Sequence, residues 1–268
     1  MRAVSLAGVL LLLAGCGQPA PTAPSPSSPA PVAATATPTT APAGWQEVAA
    51  GVELRDLKVD LSGRQVAATV VRLDPAQVRL QVAYTPGQAQ FLDRWADAAP
   101  EALVTVNGGY FTPEATALGL VVVDGTSSGR SYRGFGGMLA ATASGEVTVR
   151  SLRVHPYQAA ERLQTAIQCH PMLVIDGAAP ALPDDNRERA RRTVVGTTRS
   201  GQLLVIAVTD PITLTETGAW LLGSGLEVTQ ALNLDGGGST GIAVRSPAVR
   251  RTVPALSPLP LVVQALPR

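Results

Sequence analysis

The chain has 268 residues, enough for one domain of about 200 residues with extensions, or two small domains. Its 46% apolar and 15% charged content excludes a wholly disordered chain, and a net charge of +1 gives no basic field for nucleic acid, so no nucleic-acid partner is expected. Two cysteines and two histidines, with no HExxH and no CxxC, exclude a disulfide scaffold and a closed Cys/His zinc site.

The first 16 residues carry Arg2, an apolar run from Ala3 to Ala14, and the exit Leu13-Ala14-Gly15-Cys16. The run is shorter than the roughly 20 residues of a membrane span and fits a signal peptide over residues 1–15. The exit resembles a bacterial lipobox, which implies cleavage before Cys16 and a lipid on its thiol. Acyl chains, at about 0.8 kcal/mol per buried methylene, would hold the protein to a bilayer in the extracytoplasmic cell envelope. An ordinary secretory signal with an incidental Cys16 is the alternative. In residues 17–44, Pro, Ala, Thr and Ser fill 24 of 28 positions without a charge, which predicts a disordered, semi-stiff spacer. The composition changes at Trp45, and residues 45–268 are expected to form the folded domain.

From Val48 onward the pattern is strand-rich. Gln65–Leu73 and Gln77–Thr85, separated by Asp74-Pro75-Ala76, read as a hairpin. A short helix over Leu92–Ala99 stops at Pro100. Strands follow over Leu103–Val106 and Leu118–Val123, then a hairpin of Met138–Thr142 with Val147–Leu152. Pro156–Ile167, with Pro in its first turn, reads as the best helix. Met172–Ile175 is a strand, residues 183–191 a charged exposed loop, and Arg192–Thr198 pairs with Gln202–Val208 about Ser200-Gly201. Thr215–Leu222 is a short helix, followed by strands at Ala231–Leu234, Ile242–Val244 and Pro260–Leu266. Without βαβ alternation, this order predicts a single α+β domain, a strand-rich mixed sheet with a few short helices.

The segment Asn233-Leu234-Asp235-Gly236-Gly237-Gly238-Ser239-Thr240-Gly241 matches several generic patterns. A dinucleotide fingerprint needs a following helix and a later acidic residue, yet strand follows and no Asp or Glu occurs after Asp235. A nucleophile elbow at Ser239 needs a downstream His, and none follows His170. A P-loop needs a Lys, and the only one is Lys58. What remains is physical: a carboxylate at a strand end beside glycines whose exposed N–H groups can cradle an anion. The alternative is a tight glycine turn capped by Asp235.

The segment Asn107-Gly108-Gly109-Tyr110-Phe111 again ends a strand in an amide and paired glycines, now with aromatics that suit a sugar face or simply the core. Two of the chain's three asparagines lie in these two segments. In Arg191-Arg192-Thr193, strand alternation lets one arginine point inward, and Arg192 is favoured for a bidentate grip on phosphate. Cys169 reads as a small buried hydrophobe, with a thiol nucleophile as the sharper alternative.

Together NGGYF (107–111), RRTVVG (191–196) and ALNLDGGGS (231–239) resemble the phosphodiester glycosidase family, the domain of the lysosomal uncovering enzyme, found also in bacterial envelope proteins. The resemblance runs from about Leu103 to Leu266. Tyr110 stands where the family usually has Phe, and Pro211–Glu216 is shorter than the family's loop. The resemblance implies hydrolysis of a carbohydrate phosphodiester at the anomeric carbon, in a glycan or wall polymer. It implies that Asp235 stabilises an oxocarbenium-like centre or activates water, and that Arg192 and Gly236, Gly237 and Gly238 hold the phosphate. Asn107 would hold a sugar hydroxyl or the phosphate. Gly108, Gly109, Tyr110, Thr193 and Ser239 would line the substrate site, and Asp210 or Asp124 would supply a second carboxylate. No cofactor is required; a divalent cation at Asn233 and Asp235 is chemically reasonable. The other reading is a non-catalytic glycan- or phosphate-binding lipoprotein on the same fold.

Overall fold

The structure is a computed structural model that describes residues 36–38, 44–182 and 187–268. The expected signal peptide, Cys16 and most of the spacer lie outside the described residues, as do residues 183–186 of the charged loop. Residues Ala33–Arg268 fall into one compact unit. Within the expected spacer, Ala36–Pro38 is a short strand paired with Val59–Leu61, so the spacer is not featureless up to Trp45.

The strands form three sheets. The largest runs in the order Ala36–Pro38, Val52–Leu61, Arg64–Leu73, Leu203–Ile212, Ala190–Thr198, Val228–Asn233 and Met172–Val174, with Gln46–Ala49 also on Val52–Leu61. The second has Val147–Ser151, Gly137–Thr142, Leu163–Cys169, Val121–Val123 and Thr126–Ser128. The third has Arg250–Val253, Ile242–Arg245, Val104–Asn107, Leu261–Pro267 and Val78–Tyr84. Every pairing among the described residues is antiparallel, so the mixed sheet expected from sequence is replaced by three antiparallel ones.

Strand alternation builds the layers. In Leu203–Ile212, Val205 and Ala207 face a core shared by all three sheets, with Leu139 and Ile167 of the second and Val106 and Val263 of the third. Leu204, Ile206 and Val208 face the other way, onto Trp220 and Leu221 of the helix Leu214–Gly223. The helix Leu92–Ala98 covers the outer side of the third sheet through Leu92, Trp95 and Ala96.

Two expected elements are corrected. Arg64–Leu73 and Val78–Tyr84 do not pair: the first lies between Val52–Leu61 and Leu203–Ile212, the second on Leu261–Pro267. The turn at Asp74, closed by Val78 N–H on its carbonyl at 3.1 Å, passes the chain from one sheet to another. Both strands keep apolar faces on the shared core, which a local pattern cannot tell from a hairpin. The true hairpin partner of Arg64–Leu73 is Val52–Leu61, joined through Ser62-Gly63 at positive φ. The helix expected over Pro156–Ile167 is also absent, for its second half is the strand Leu163–Cys169, central in the second sheet. Its neighbours use both faces, Ile167 and Cys169 toward the shared core and Ala166 toward Leu120 and Met138. Tertiary pairing overrides helix propensity there.

Candidate active site

The site is built where strands of the first and third sheets end together. Asn107, at the end of Val104–Asn107, is fully buried. Its Nδ2 donates to the Asp235 carbonyl at 2.8 Å, and its Oδ1 accepts from Thr193 Oγ1 at 2.8 Å and from Gly241 N–H at 3.1 Å. Main-chain bonds reinforce the join: Leu234 N–H to the Thr193 carbonyl at 2.8 Å and Asp235 N–H to the Gly108 carbonyl at 3.1 Å. One carboxamide therefore ties all three sequence segments together.

A second buried carboxamide, Asn233, sews the site to the second sheet. Its Nδ2 donates to Tyr110 Oη at 2.9 Å, to the His170 carbonyl at 3.1 Å and to the Leu234 carbonyl at 2.8 Å. Tyr110 O–H donates in turn to the His170 carbonyl at 2.9 Å. Burial pushes the Tyr110 phenol far up, so it stays protonated and acts as a donor.

Asp235 sits on the chain between Asn233 and the short turn Gly237–Ser239. Burial raises its carboxyl above the ordinary aspartate range, opposed by hydrogen bonds from the Ser239 hydroxyl and, at 2.9 Å, from Gly236 N–H. Gly236 can carry no side chain, since a Cβ there would lie 2.8 Å from the Arg191 carbonyl. The same point is 3.8 Å from Cδ and Nη1 of Arg192, so the turn runs along the arginine. Gly237 takes a positive φ of 58°. The Arg192 guanidinium is buried and oriented by Nε donating to the Ile212 carbonyl at 2.9 Å and Nη2 to the Glu188 carbonyl at 2.5 Å. Arg191 points elsewhere, to the Pro254 carbonyl at 3.0 Å, in keeping with strand alternation.

The structure thus gathers Asp235, Arg192, Tyr110, Ser239 and the Gly236–Gly238 backbone. Other expected site residues fall differently. Asn107 and Thr193 bond to each other in the interior and are spent on the chain itself, so they position the site rather than touch a ligand. Gly108 and Gly109 are packing glycines: a Cβ would meet Leu261 Cγ at 2.7 Å or the Gln168 carbonyl at 2.9 Å. Asp210 turns to Ala67 N–H at 2.7 Å, on the strand flanking Leu203–Ile212 opposite to the one that carries Arg192. Asp124 sits on a hairpin turn, bonded by Gln164 Nε2 at 3.2 Å. Neither supplies a second carboxylate to Asp235. Cys169 is fully buried and burial pushes its thiol up to about 12, so it is a core residue and not a thiolate.

The divalent cation considered at Asn233 and Asp235 finds a poor donor set. A hard cation takes six or more oxygens, commonly from several carboxylates. Here one carboxylate already accepts two hydrogen bonds, and no cluster of three His, Cys, Asp or Glu side chains occurs among the described residues. Asn233 Oδ1 and, in the same segment, Thr240 Oγ1 are buried without a hydrogen-bond partner.

Sequence reasoning missed the cleft beside these residues. It holds about 420 Å³, and its lining includes Tyr110, Phe135, His170, Pro171, Leu182 and Leu214. Rings of Tyr110, Tyr132 and Phe135 surround His170, with centroids 4.9, 5.6 and 5.7 Å away. The aromatic and glycine-rich run Tyr132–Gly137 was the available signal.

The sequence profile of the phosphodiester glycosidase family matches residues 100–258. The chain belongs to the phosphodiester glycosidase family. Among solved structures, one neighbour is a hypothetical protein from Synechocystis, with a TM-score of 0.63 and 16% identity over 85% of this chain. This chain spans 64% of that one's length. Another is the catalytic domain of zebrafish N-acetylglucosamine-1-phosphodiester α-N-acetylglucosaminidase, auto-inhibited by its pro-peptide. It gives a TM-score of 0.63 and 18% identity, covering 88% of this chain and 87% of its own. At such identities the likeness is one of fold. A comparison with curated proteins gave no match.

Two outcomes follow for the phosphodiester glycosidase site. Asn107→Ala strands three buried polar partners and is expected to cost about 3–5 kcal/mol in denaturant unfolding; a cost under about 1 kcal/mol would contradict the tying role. For Asp235, a raised carboxyl means that the folded chain holds the proton more readily than the unfolded chain. Stability therefore falls as pH rises from the ordinary aspartate range through the folded value. Asp235→Asn removes that loss, so the variant should be at least as stable as the parent at neutral pH.

Proposed function

We propose that this chain hydrolyses a glycosyl phosphodiester at the anomeric carbon, releasing a free sugar and the phosphate monoester of the aglycone. The observation that carries the proposal is a buried carboxylate, Asp235, and a buried, doubly oriented guanidinium, Arg192, both close enough to Tyr110 to act on its phenol, with the Gly236 backbone along the arginine. Family membership and the zebrafish neighbour's named activity support the reaction class.

In the proposed step, the water oxygen bonds to the anomeric carbon and the carbon–oxygen bond to phosphate breaks. Its electron pair stays on the phosphate oxygen, and the proton of the water passes to Asp235. The departing phosphate is stable as an anion, so it leaves without a proton donor, and catalysis falls mainly to charge stabilisation. Arg192 supplies the fixed positive charge, held by two carbonyls before substrate arrives. The N–H groups at Gly237 and Gly238 extend the anion cradle. Burial raises Asp235, which makes it a better proton acceptor than a solvated carboxylate, while Ser239 and Gly236 keep it oriented. No metal step is invoked.

The test is turnover of N-acetylglucosamine 1-phosphate diesters by the full-length chain. Asp235→Asn should lower kcat by roughly 10²–10⁴-fold, the usual range for a general base. Arg192→Lys should lose activity as well, because one ammonium cannot keep both carbonyl bonds and face the phosphate. The acid limb of the activity profile should lie above the ordinary aspartate range, since Asp235 must be ionised to accept the proton. Binding of a diester without turnover, retained in Asp235→Asn, would select the non-catalytic reading.

We propose further that Cys16 bears the lipid anchor and that the Pro/Ala/Thr-rich stretch spaces the domain from an envelope membrane. No helix among the described residues is long and apolar enough to cross a membrane. Cys16→Ala should move the protein from the membrane to the soluble fraction; unchanged fractionation would refute the anchor.

A further inference from the structure

We infer that the cleft beside Asp235 receives the aglycone of the substrate, and that this aglycone is an apolar alcohol, an alkyl or isoprenoid chain, and not a second sugar. The inference rests on the phosphodiester glycosidase reading and narrows it.

Three observations carry it. The cleft shares a wall with the charged site: Tyr110 lines it, while the Tyr110 hydroxyl is bonded to Asn233 and its phenol feels the charges of Asp235 and Arg192. A group leaving from that site on a phosphate therefore has the cleft beside it. Second, the lining is chemically one-sided. Among the described residues it contains no Asp, Glu, Asn, Gln or Lys; its polar side chains besides Tyr110 are Ser151, His170 and the exposed Arg153, and the rest of the lining is apolar or glycine. A sugar aglycone brings several hydroxyls, each needing a partner once water is displaced, and carboxylates and carboxamides normally meet that need. The Tyr110 hydroxyl is already committed to the His170 carbonyl and to Asn233. A methylene chain asks for no partner and gains by burial.

Third, the wall carries apolar surface that the protein leaves uncovered. Phe135 is 50% exposed, yet its ring is held against Tyr132 at 4.8 Å and near His170 at 5.7 Å. Leu182 and Leu214 are half-buried in the same lining. A fixed, concave, water-facing apolar wall is suited to a chain-like ligand. The reaction is unchanged in its balance: the product from this side is the monoester of the apolar alcohol.

The experiment uses the full-length protein and three diesters of N-acetylglucosamine 1-phosphate, carrying methyl, octyl or mannosyl aglycones. The octyl ester should show a kcat/KM at least tenfold above the mannosyl ester. Phe135→Ala and Leu182→Asp should bring the octyl-to-methyl ratio down toward one. A mannosyl ester preferred over octyl, or a wild-type octyl-to-methyl ratio near one, overturns the inference while leaving the hydrolase reading intact. A second arm needs no turnover: calorimetry on Asp235→Asn with octyl phosphate and with mannose 6-phosphate. Octyl phosphate should bind at least tenfold more tightly, and equal or weaker binding overturns the inference. If no diester is hydrolysed, the hydrolase reading fails and this binding arm alone decides what the cleft accepts.

Discussion

The arrangement depends on one buried carboxamide. Asn107 donates to the Asp235 carbonyl and accepts from Thr193 and Gly241, so the ends of strands from two sheets share one side chain. An amide suits this place because it offers a donor and an acceptor without charge. A carboxylate there would face the Asp235 carbonyl with no donor of its own, and an aliphatic residue would leave three partners unmet. Asn233 repeats the device toward the second sheet through Tyr110 and the His170 carbonyl. These two knots are what let a charged group stand in an apolar interior at a defined position.

That position has an electrostatic consequence. Burial disfavours the Asp235 charge, and the Ser239 hydroxyl and Gly236 amide offset part of the penalty. The Arg192 guanidinium is also buried, with carbonyls satisfying two of its edges. Both ions give up hydration on folding, before any ligand is present. On the proposed reading, an arriving phosphate meets a cation already largely stripped of water, and an attacking water meets a carboxylate that gains by taking a proton. Stability is traded for reactivity at this point, as expected of preorganised sites.

Some of this was legible in the sequence. Polar residues and glycines at the ends of apolar strands marked Asn107, Asn233 and Asp235, and alternation chose Arg192 over Arg191. What could not be read was the direction of each side chain. A polar residue at a strand end looks the same whether it faces a ligand or sews segments, so the pattern reads Asn107 and Thr193 as substrate contacts where the structure has them as internal ties. Asp210 has the chemistry of a second carboxylate, but its side chain accepts from Ala67 N–H on the neighbouring strand. The Pro156–Ile167 segment carried helix-forming residues, and only the strands on both sides of it explain its extended second half. Tyr132–Gly137 has neither helical nor strand periodicity, so only its aromatic and glycine content hinted at the cleft, and periodicity could not place it.

The same division separates what the fold can and cannot change. The knots at Asn107 and Asn233 lie inside, their partners drawn from segments far apart in the chain, and any substitution there strands several groups at once. Much of the cleft wall comes from short connections: Gly134–Gly136 before one strand, His170-Pro171 between two, and Ala181-Leu182 ahead of the charged loop. His170 and Pro171 are held through their carbonyls by Asn233, whereas the side chain of Phe135 has half its surface free. On the proposed reading, bond breaking is held by buried, mutually dependent groups, while the choice of what is attached to the phosphate rests on exposed side chains such as Phe135.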